Sequence, residues 1–506
     1  MKSLQSQKSV LLKKVAFFSG PVVVVLFLIF GDLEPGKPEV TRTAALALLM
    51  AIWWITEAVP LAITALLPAI FFPIFQIMKA ETVAPVYFNK IILLFLGGFM
   101  IALAMERWQL HRRIALQIIA WIGASPRRIL MGFMIATGFL SMWISNTATA
   151  MMMLPIAVAI ISKLEEKYDS LEIKKFAVAL LLAIAYSASI GGLATIIGTP
   201  PNLILVRVLQ IQFPMLTEIS FTQWLIFAFP ISLLFLFILW LILTVWGLPS
   251  EREFPVAAKV FETELQNLGP ITYEEKVVLF DFIGLVVLLV SRQNINIGSF
   301  VIPGWSSLFP DASFVDDGTV ALTLAIILFI IPTQNGFEQK IMDWQTARKL
   351  PWNIILLFGG GFALAEGFKN SGLSLWVGNH LKMLIDFPPI LIVMSVCLLL
   401  TFLTELTSNT ATTNMILPIL ASLSTVIHVN PLLLMIPATL SASCAFMLPV
   451  ATPPNAIIFG SDRIHISDMA RIGIFLNFIG VLLFTAAIFI IGNLVFNVLE
   501  VPTWLK

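Results

Sequence analysis

Two copies of a Ser-Asn-Thr triplet, Ser145-Asn146-Thr147 and Ser408-Asn409-Thr410, lie in apolar surroundings, as do two copies of Thr-Pro-Pro-Asn, Thr199-Pro200-Pro201-Asn202 and Thr452-Pro453-Pro454-Asn455. Hydroxyl and carboxamide oxygens are hard, neutral ligands that suit an alkali cation; zinc or copper would ask for His and Cys. Asn also carries an NH2 donor and Thr a hydroxyl. One such triplet at the tip of a turn can therefore hold a cation on one side and a carboxylate on the other. No Lys or Arg occurs in 129–162, 176–206 or 383–462, the windows that contain all four motifs. A pocket for an anion is ordinarily expected to contain arginine, whose fork matches a carboxylate. Here an anion must rely on backbone N–H groups at helix starts and on bound cations, which dominate the field of a small site. The reading is a coupled site in which cations bind first and neutralise the incoming anion, so that substrate affinity depends on the cation by linkage. Two tips suit a solute with a carboxylate at each end, although both tips could grip one compact dianion such as sulfate.

The motifs recur in register. The Ser-Asn-Thr triplets are 263 positions apart (408 − 145), and so are Ile91-Ile92-Leu93-Leu94-Phe95 with Ile354-Ile355-Leu356-Leu357-Phe358, and Leu154-Pro155 with Leu417-Pro418. The Thr-Pro-Pro-Asn copies are 253 apart (452 − 199), the difference falling in the charged loop Lys163 to Lys175. Duplicated, Pro-interrupted hydrophobic segments point to a secondary-transporter binding site. Packing alone does not call for polar triplets in apolar surroundings twice.

Other polar groups are weaker candidates. Glu57, Glu106, Asp281, Glu366 and Glu405 lie in or near apolar runs, where charges are functional candidates by default; Glu405, three residues before Ser408, can orient that loop or carry a proton. His111, His380, His428 and His465 share no ligand spacing and read as loop residues. Cys397 and Cys444 read as small buried hydrophobes, with no disulfide or metal spacing. Gly97, Gly98, Gly359, Gly360 and Gly361 read as close helix-packing points.

The elements that must hold these residues are membrane spans. Of 506 residues 59% are hydrophobic and 12% charged, with mean hydropathy +0.96, whereas a soluble domain carries about 25% charged residues. Net charge is +1, which offers no field for nucleic acid. Apolar runs near the ~20 residues that span a bilayer recur throughout: 15–31, 41–57, 60–77, 90–105, 127–162, 174–211, 219–247, 275–291, 317–333, 352–369, 388–427, 431–460 and 466–498. The stretches 127–162 and 388–427 are too long for one helix and break at Ser-Asn-Thr; 174–211 and 431–460 break at Thr-Pro-Pro-Asn, where proline removes a donor and clashes with the preceding turn. Broken helices at membrane depth must line a polar cavity or be buried in protein. The domain reading is 1–40 for a basic segment (Lys2, Lys8, Lys13, Lys14) and a retained first helix, 41–247 for the first repeat, 248–276 for an extramembrane linker and 277–498 for the second repeat. Arg107, Arg112, Arg113, Arg127 and Arg128 mark a cytoplasmic face, and 105–117 fits an amphipathic interfacial helix.

An intramembrane enzyme would need a signature such as His-Glu-x-x-His, Gly-x-Ser-x-Gly or paired membrane aspartates; none is present, and Tyr168-Asp169 in a charged loop has no partner motif. A channel needs no broken helices meeting at a closed site. An obligate anion exchanger of the same architecture is the nearest competitor.

These residues resemble the divalent anion:sodium symporter family, which includes the INDY-type dicarboxylate carriers, over roughly 40–498. The paired triplets, the segment Ser443-Cys444-Ala445-Phe446-Met447-Leu448-Pro449-Val450-Ala451-Thr452-Pro453-Pro454-Asn455, and Gly97-Gly98-Phe99 followed by Leu110-His111-Arg112-Arg113-Ile114-Ala115 carry the resemblance. It implies an all-α polytopic membrane protein with two inverted repeats, about eleven transmembrane helices and two re-entrant hairpins (127–162 and 388–427). It further implies a homodimer whose scaffold and transport domains, interleaved across both repeats, move as an elevator. A first Na+ site is implied at Ser141, Ser145, Asn146 and Gly198, and a second at Thr404, Thr407, Asn409 and Ala451. Substrate contacts are implied at Asn146, Thr147, Thr199, Ser408, Asn409, Thr410, Thr452 and Pro453. The implied activity is Na+-coupled symport of di- or tricarboxylates, C4-dicarboxylates such as succinate, malate and fumarate foremost, with citrate possible and no organic cofactor. The setting is a bacterial inner or plasma membrane, with the N-terminus cytoplasmic and the C-terminus outside.

Overall fold

Where the chain runs apolar the backbone has no water to bond to and closes its own hydrogen bonds as helix. The computed structural model describes residues 2–123, 125–167, 171–247, 255–297 and 300–502. Among them, seven helices are long and apolar enough to cross a bilayer, from Lys13–Phe30 to Ile466–Phe496, and shorter apolar helices such as Asp317–Ile330, Pro389–Thr404 and Pro431–Ala442 accompany them. Two short antiparallel strand pairs, Ile295–Ile297 with Phe300–Ile302 and Pro332–Thr333 with Gly336–Lys340, are the exceptions to the all-helical expectation.

Both overlong stretches resolve into helix pairs. Pro126–Ser141 and Asn146–Lys167 are joined by residues 142–145; Pro389–Thr404 and Asn409–Val426 are joined by 405–408. Each second helix thus starts on the Asn of its triplet. The other two stretches are broken as the sequence suggests, into Leu171–Gly192 with Pro200–Gln212 and Pro431–Ala442 with Pro453–Phe459. The prolines act differently from the expectation, however. Pro200 and Pro453 open the resumed helices, where a missing N–H costs nothing and a fixed φ is pre-organised; the irregular backbone lies before them.

Helix Lys90–Arg107 packs on Asp317–Ile330, and a Cβ on Gly97 would stand 2.6 Å from Leu322 N. Only glycine permits that approach.

Several boundaries differ from the sequence reading. The interfacial helix is Leu110–Ile122 rather than 105–117, because Gln109 at φ 58° separates it from Lys90–Arg107. His111 is therefore no loop residue: it is buried in that helix with Nδ1 2.9 Å from Met105 O. The stretch 60–77 is split into Leu61–Thr64 and Leu67–Ile74. Of the linker, 248–254 lies outside the described residues, as does Tyr168-Asp169; the rest contains helix Pro255–Leu268, which packs on Leu110–Ile122 and Asn146–Lys167. Arg113 fastens it, pairing with Glu275 at 2.7 Å and donating to the carbonyls of Leu268 and Gly269. Both cysteines are buried, as expected.

Candidate functional site

Each tip builds the same cluster from a hydroxyl, a carboxamide and a main-chain carbonyl. In the first half Ser141 Oγ lies 2.6 Å from Asn146 Oδ1 and 2.7 Å from Ala188 O. In the second half Thr404 Oγ1 lies 2.6 Å from Asn409 Oδ1 and 2.9 Å from Ala442 O. A hydroxyl has one proton to give, so in each cluster three oxygens share a single hydrogen. The lone pairs left facing one another are what a hard cation satisfies. Helix geometry produces this: the hydroxyl sits on the last position of one helix, and the Asn on the first position of the next.

The broken helices are stapled around these clusters by the Asn of Thr-Pro-Pro-Asn. Asn202 Nδ2 donates to Thr195 O at 2.8 Å, and Asn455 Nδ2 donates to Leu448 O at 3.0 Å and Ala445 O at 3.0 Å. Thr195 and Leu448 are themselves 253 apart (448 − 195), so the staple is one device used twice. Asn202 Oδ1 and Asn455 Oδ1 are both buried and without a partner among the described residues, two further oxygens beside the breaks.

The ties between tip and break differ. In the first half Thr195 Oγ1 donates to Met142 O at 2.5 Å. In the second, Glu405 stands where Met142 stands in the first. Its Oε1 accepts from Phe446 N at 2.7 Å, Met447 N at 2.9 Å and Asn477 Nδ2 at 2.8 Å, and Oε2 accepts from Leu448 N at 3.1 Å. Four donors on one carboxylate hold it as an orienting group for the second break. Tyr186 joins the halves, its hydroxyl donating to Phe446 O at 2.7 Å.

The residues expected at the site are placed as follows. Ser141 and Asn146 meet directly, and Gly198 stands beside them: a Cβ on Gly192 would lie 2.8 Å from Asn146 Oδ1 and 3.0 Å from Gly198 O. Ser145 Oγ accepts the Ala148 N–H at 3.2 Å. Thr404 and Asn409 meet likewise. Thr407 Oγ1 is turned to Leu403 O at 2.9 Å and to Thr412 Oγ1. The Ala451 N–H donates to Leu448 O at 3.2 Å, and Thr452 Oγ1 accepts from Asn455 N at 3.4 Å. Thr199 and Thr410 are buried, Thr147 and Ser408 half-buried, and Pro453 exposed. No hydrogen bond joins the two triplets to each other among the described residues. Sequence reasoning missed the carbonyls of Ala188 and Ala442 and the Thr195 hydroxyl; a carbonyl has no side-chain signature, and the position that matches Thr195 in the other half, Leu448, has no hydroxyl.

A cavity of about 670 Å3 runs along helix Asn146–Lys167 from Ala148 through Met151 and Pro155. Its opposite wall carries Arg107, Arg112 and Lys349. Arg107 pairs with Asp343 at 2.8 Å and Arg112 with Glu264 at 2.5 Å. The basic side chains missing from the motif windows thus line a cavity that reaches Ala148, two residues after Asn146.

The profile of the sodium:sulfate symporter transmembrane region matches residues 13–498. The chain is 44% identical over 481 residues to the sodium-dependent dicarboxylate transporter SdcS of Staphylococcus saprophyticus, covering 94% of this chain and 90% of that protein. To the protein of the same name from Staphylococcus aureus strain N315 it is 44% identical over 490 residues, covering 96% and 92%. Among solved structures, Neisseria gonorrhoeae MtrF, described with a class of antimetabolite efflux pumps, superposes with TM-score 0.58 at 13% identity over 92% of this chain and 98% of that one. The Alcanivorax borkumensis YdaH transporter gives TM-score 0.57 at 12% identity over 90% and 100%. At such identities these two speak to the fold alone. With a match that runs from the first helix to the last and relatives aligned over nearly their whole length, the chain belongs to the sodium:sulfate symporter family, the divalent anion:sodium symporters, and is a multi-pass membrane transporter rather than an enzyme.

Proposed function

We propose that the protein carries a C4-dicarboxylate together with Na+ across the membrane by alternating access. The observation that supports it most is the doubled oxygen cluster, Ser141–Asn146–Ala188 O and Thr404–Asn409–Ala442 O, each short of protons for its oxygens. One Na+ is assigned to Ser141, Ser145, Asn146 and Gly198, and the other to Thr404, Thr407, Asn409 and Ala451. The dicarboxylate is assigned to Asn146, Thr147, Thr199, Ser408, Asn409, Thr410, Thr452 and Pro453. Helices Asn146–Lys167, Asn409–Val426 and Pro200–Gln212 each begin at or next to a residue assigned to the dicarboxylate, each adding a partial charge of about +0.5. These fields and the cations together offset a dianion where no arginine is present. The names of the relatives favour Na+ and dicarboxylates as the pair carried; the family description also names sulfate.

An inverted arrangement of re-entrant hairpins is supported by what the hairpin bases touch. The base of the first lies at Glu165, which pairs with Arg463 at 2.8 Å just before helix Ile466–Ala487. The base of the second lies at Asn430, whose Nδ2 donates to Asn497 O at 3.4 Å and Glu500 O at 3.2 Å. Between these contacts runs Ile466–Phe496, a 31-residue apolar helical stretch of about 46 Å, longer than the ~30 Å hydrocarbon core. The bases then belong to opposite membrane faces. On this reading the hairpins and broken helices move together as the transport domain of an elevator, against a scaffold that dimerises. The first hairpin's base faces the cytoplasm.

The test is uptake of radiolabelled succinate, malate, fumarate, citrate, 2-oxoglutarate and sulfate into liposomes empty of substrate, with Na+ replaced by choline or K+. The symporter reading expects saturable, Na+-dependent succinate uptake. Uptake that needs internal substrate makes the protein an exchanger, and uptake indifferent to Na+ removes the coupling.

A further inference from the structure

Away from the tips, a cavity of about 540 Å3 opens where helices Leu171–Gly192 and Ile466–Ala487 begin and Phe221–Gly247 ends. Its rim carries Lys174, Lys175, Arg463 and Arg471, with His465, against the carboxylates of Glu165 and Asp468. Both carboxylates are already engaged. Glu165 pairs with Arg463 at 2.8 Å, and Asp468 Oδ2 accepts the His465 N–H at 3.1 Å in the cap that starts Ile466–Ala487. Lys174, Lys175 and Arg471 are exposed at the rim. Within a turn of them the lining becomes apolar, through Val178, Leu243, Trp246 and Ile472. The Arg471 guanidinium lies over the Trp246 ring, 4.5 Å from its centroid, and Phe475 meets the same ring edge-on at 5.9 Å. The apolar wall continues onto the outer surface, where Phe475 is 54% and Val245 82% exposed.

We propose that this cavity binds one anionic phospholipid, its phosphate among Lys174, Lys175 and Arg471 and its acyl chain along Trp246 and Phe475. The grading from cationic rim to apolar wall is that of the membrane interface, where tryptophan concentrates. Basic pockets between transmembrane helices suit anionic headgroups. A soluble anion would use the rim alone and would have no use for a wall that runs out into hydrocarbon. The cation excess, four basic side chains to two carboxylates, complements a headgroup of net negative charge. Each basic residue near an anionic lipid is worth roughly a fivefold change in affinity. Losing two costs about twenty- to thirtyfold.

The experiment is native mass spectrometry of the intact purified protein in neutral detergent. The probes are phosphatidylglycerol, phosphatidylcholine and, as the acyl-free anion, glycerol phosphate. The expected result is one retained phosphatidylglycerol per chain, weak retention of phosphatidylcholine and no displacement by glycerol phosphate. The double variant Lys175→Gln/Arg471→Gln, both at exposed positions, should lower phosphatidylglycerol retention about twenty- to thirtyfold while remaining monodisperse. Equal retention by that variant, equal binding of phosphatidylcholine, or displacement by glycerol phosphate each overturns the assignment. None of these readouts depends on Na+ or on the carried solute, so the site stands or falls apart from the transport reading.

Discussion

At the level of single residues, the proposed coupling rests on Asn146 and Asn409, each of which has its oxygen on the cation side and an NH2 to spare. Asn146→Ala or Asn409→Ala should weaken Na+ dependence and succinate uptake together. Each loses about tenfold or more, since an interaction with a charged group is worth roughly 1.5–3 kcal/mol. Wild-type transport with a wild-type Na+ response in either variant would sink the shared tip. Ser141→Ala removes only the bridging hydroxyl, and Thr404→Ala removes it together with a buried methyl. They should raise the Na+ concentration for half-maximal uptake several-fold, whereas Thr404→Ser, which restores the Ser141 arrangement, should leave it nearly unchanged. Thr147 and Thr410 begin the same two helices but show no bond into either oxygen cluster. Substitution there should reorder the preference among succinate, citrate and sulfate in a competition assay while leaving the Na+ response in place.

At the level of elements, the two breaks are held by different chemistry. The first uses a neutral threonine on a carbonyl; the second uses the Glu405 carboxylate on three amide N–H groups and Asn477. Glu405→Gln keeps the shape but turns an NH2 toward donors. The second break should loosen, lowering stability by about 1–3 kcal/mol in thermal unfolding and raising the Na+ requirement. Met142→Ala, at the equivalent position, leaves its carbonyl in place and should leave the Na+ requirement unchanged, although truncating this buried side chain lowers stability by about 2–5 kcal/mol. The two polar turns and the two broken helices were legible in the sequence, because polar triplets and Pro pairs at fixed offsets stand out against apolar surroundings. What was not legible was decided by tertiary packing. Pro200 and Pro453 look like helix breakers until the backbone places them at helix starts. The helix Pro255–Leu268 mixes Lys259, Glu262 and Glu264 with apolar residues and reads as linker until it packs on its neighbours. The carbonyls of Ala188 and Ala442 complete the oxygen clusters without leaving any trace in residue type.

At the level of the whole molecule, the two repeats match in chain but differ in exposure. Along the first hairpin Met151 is 55% exposed and lines the cavity with Ala148 and Pro155. Their partners 263 positions on are Ala411, Asn414 and Pro418, all buried, with Asn414 0% exposed and its Nδ2 bonded to Leu357 O at 3.2 Å. The face of the first hairpin that carries Met151 is therefore exposed, and the equivalent face of the second is buried. If the repeats exchange these conformations during transport, the second state buries the Met151 face and opens the Ala411 face. Thiol labelling reads this directly, because the native Cys397 and Cys444 are both buried and add little background. In sealed vesicles Met151→Cys should react with a membrane-impermeant thiol reagent applied from the first hairpin's face. Ala411→Cys should react only from the opposite face and about tenfold or more slowly, in line with a minor state populated at roughly 10% or below. Na+ with succinate on both sides, which sets the carrier cycling, should slow the first reaction and speed the second. Labelling of both positions from one face would mean that the hairpins are not inverted, and rates indifferent to Na+ and succinate would mean that the two faces do not alternate.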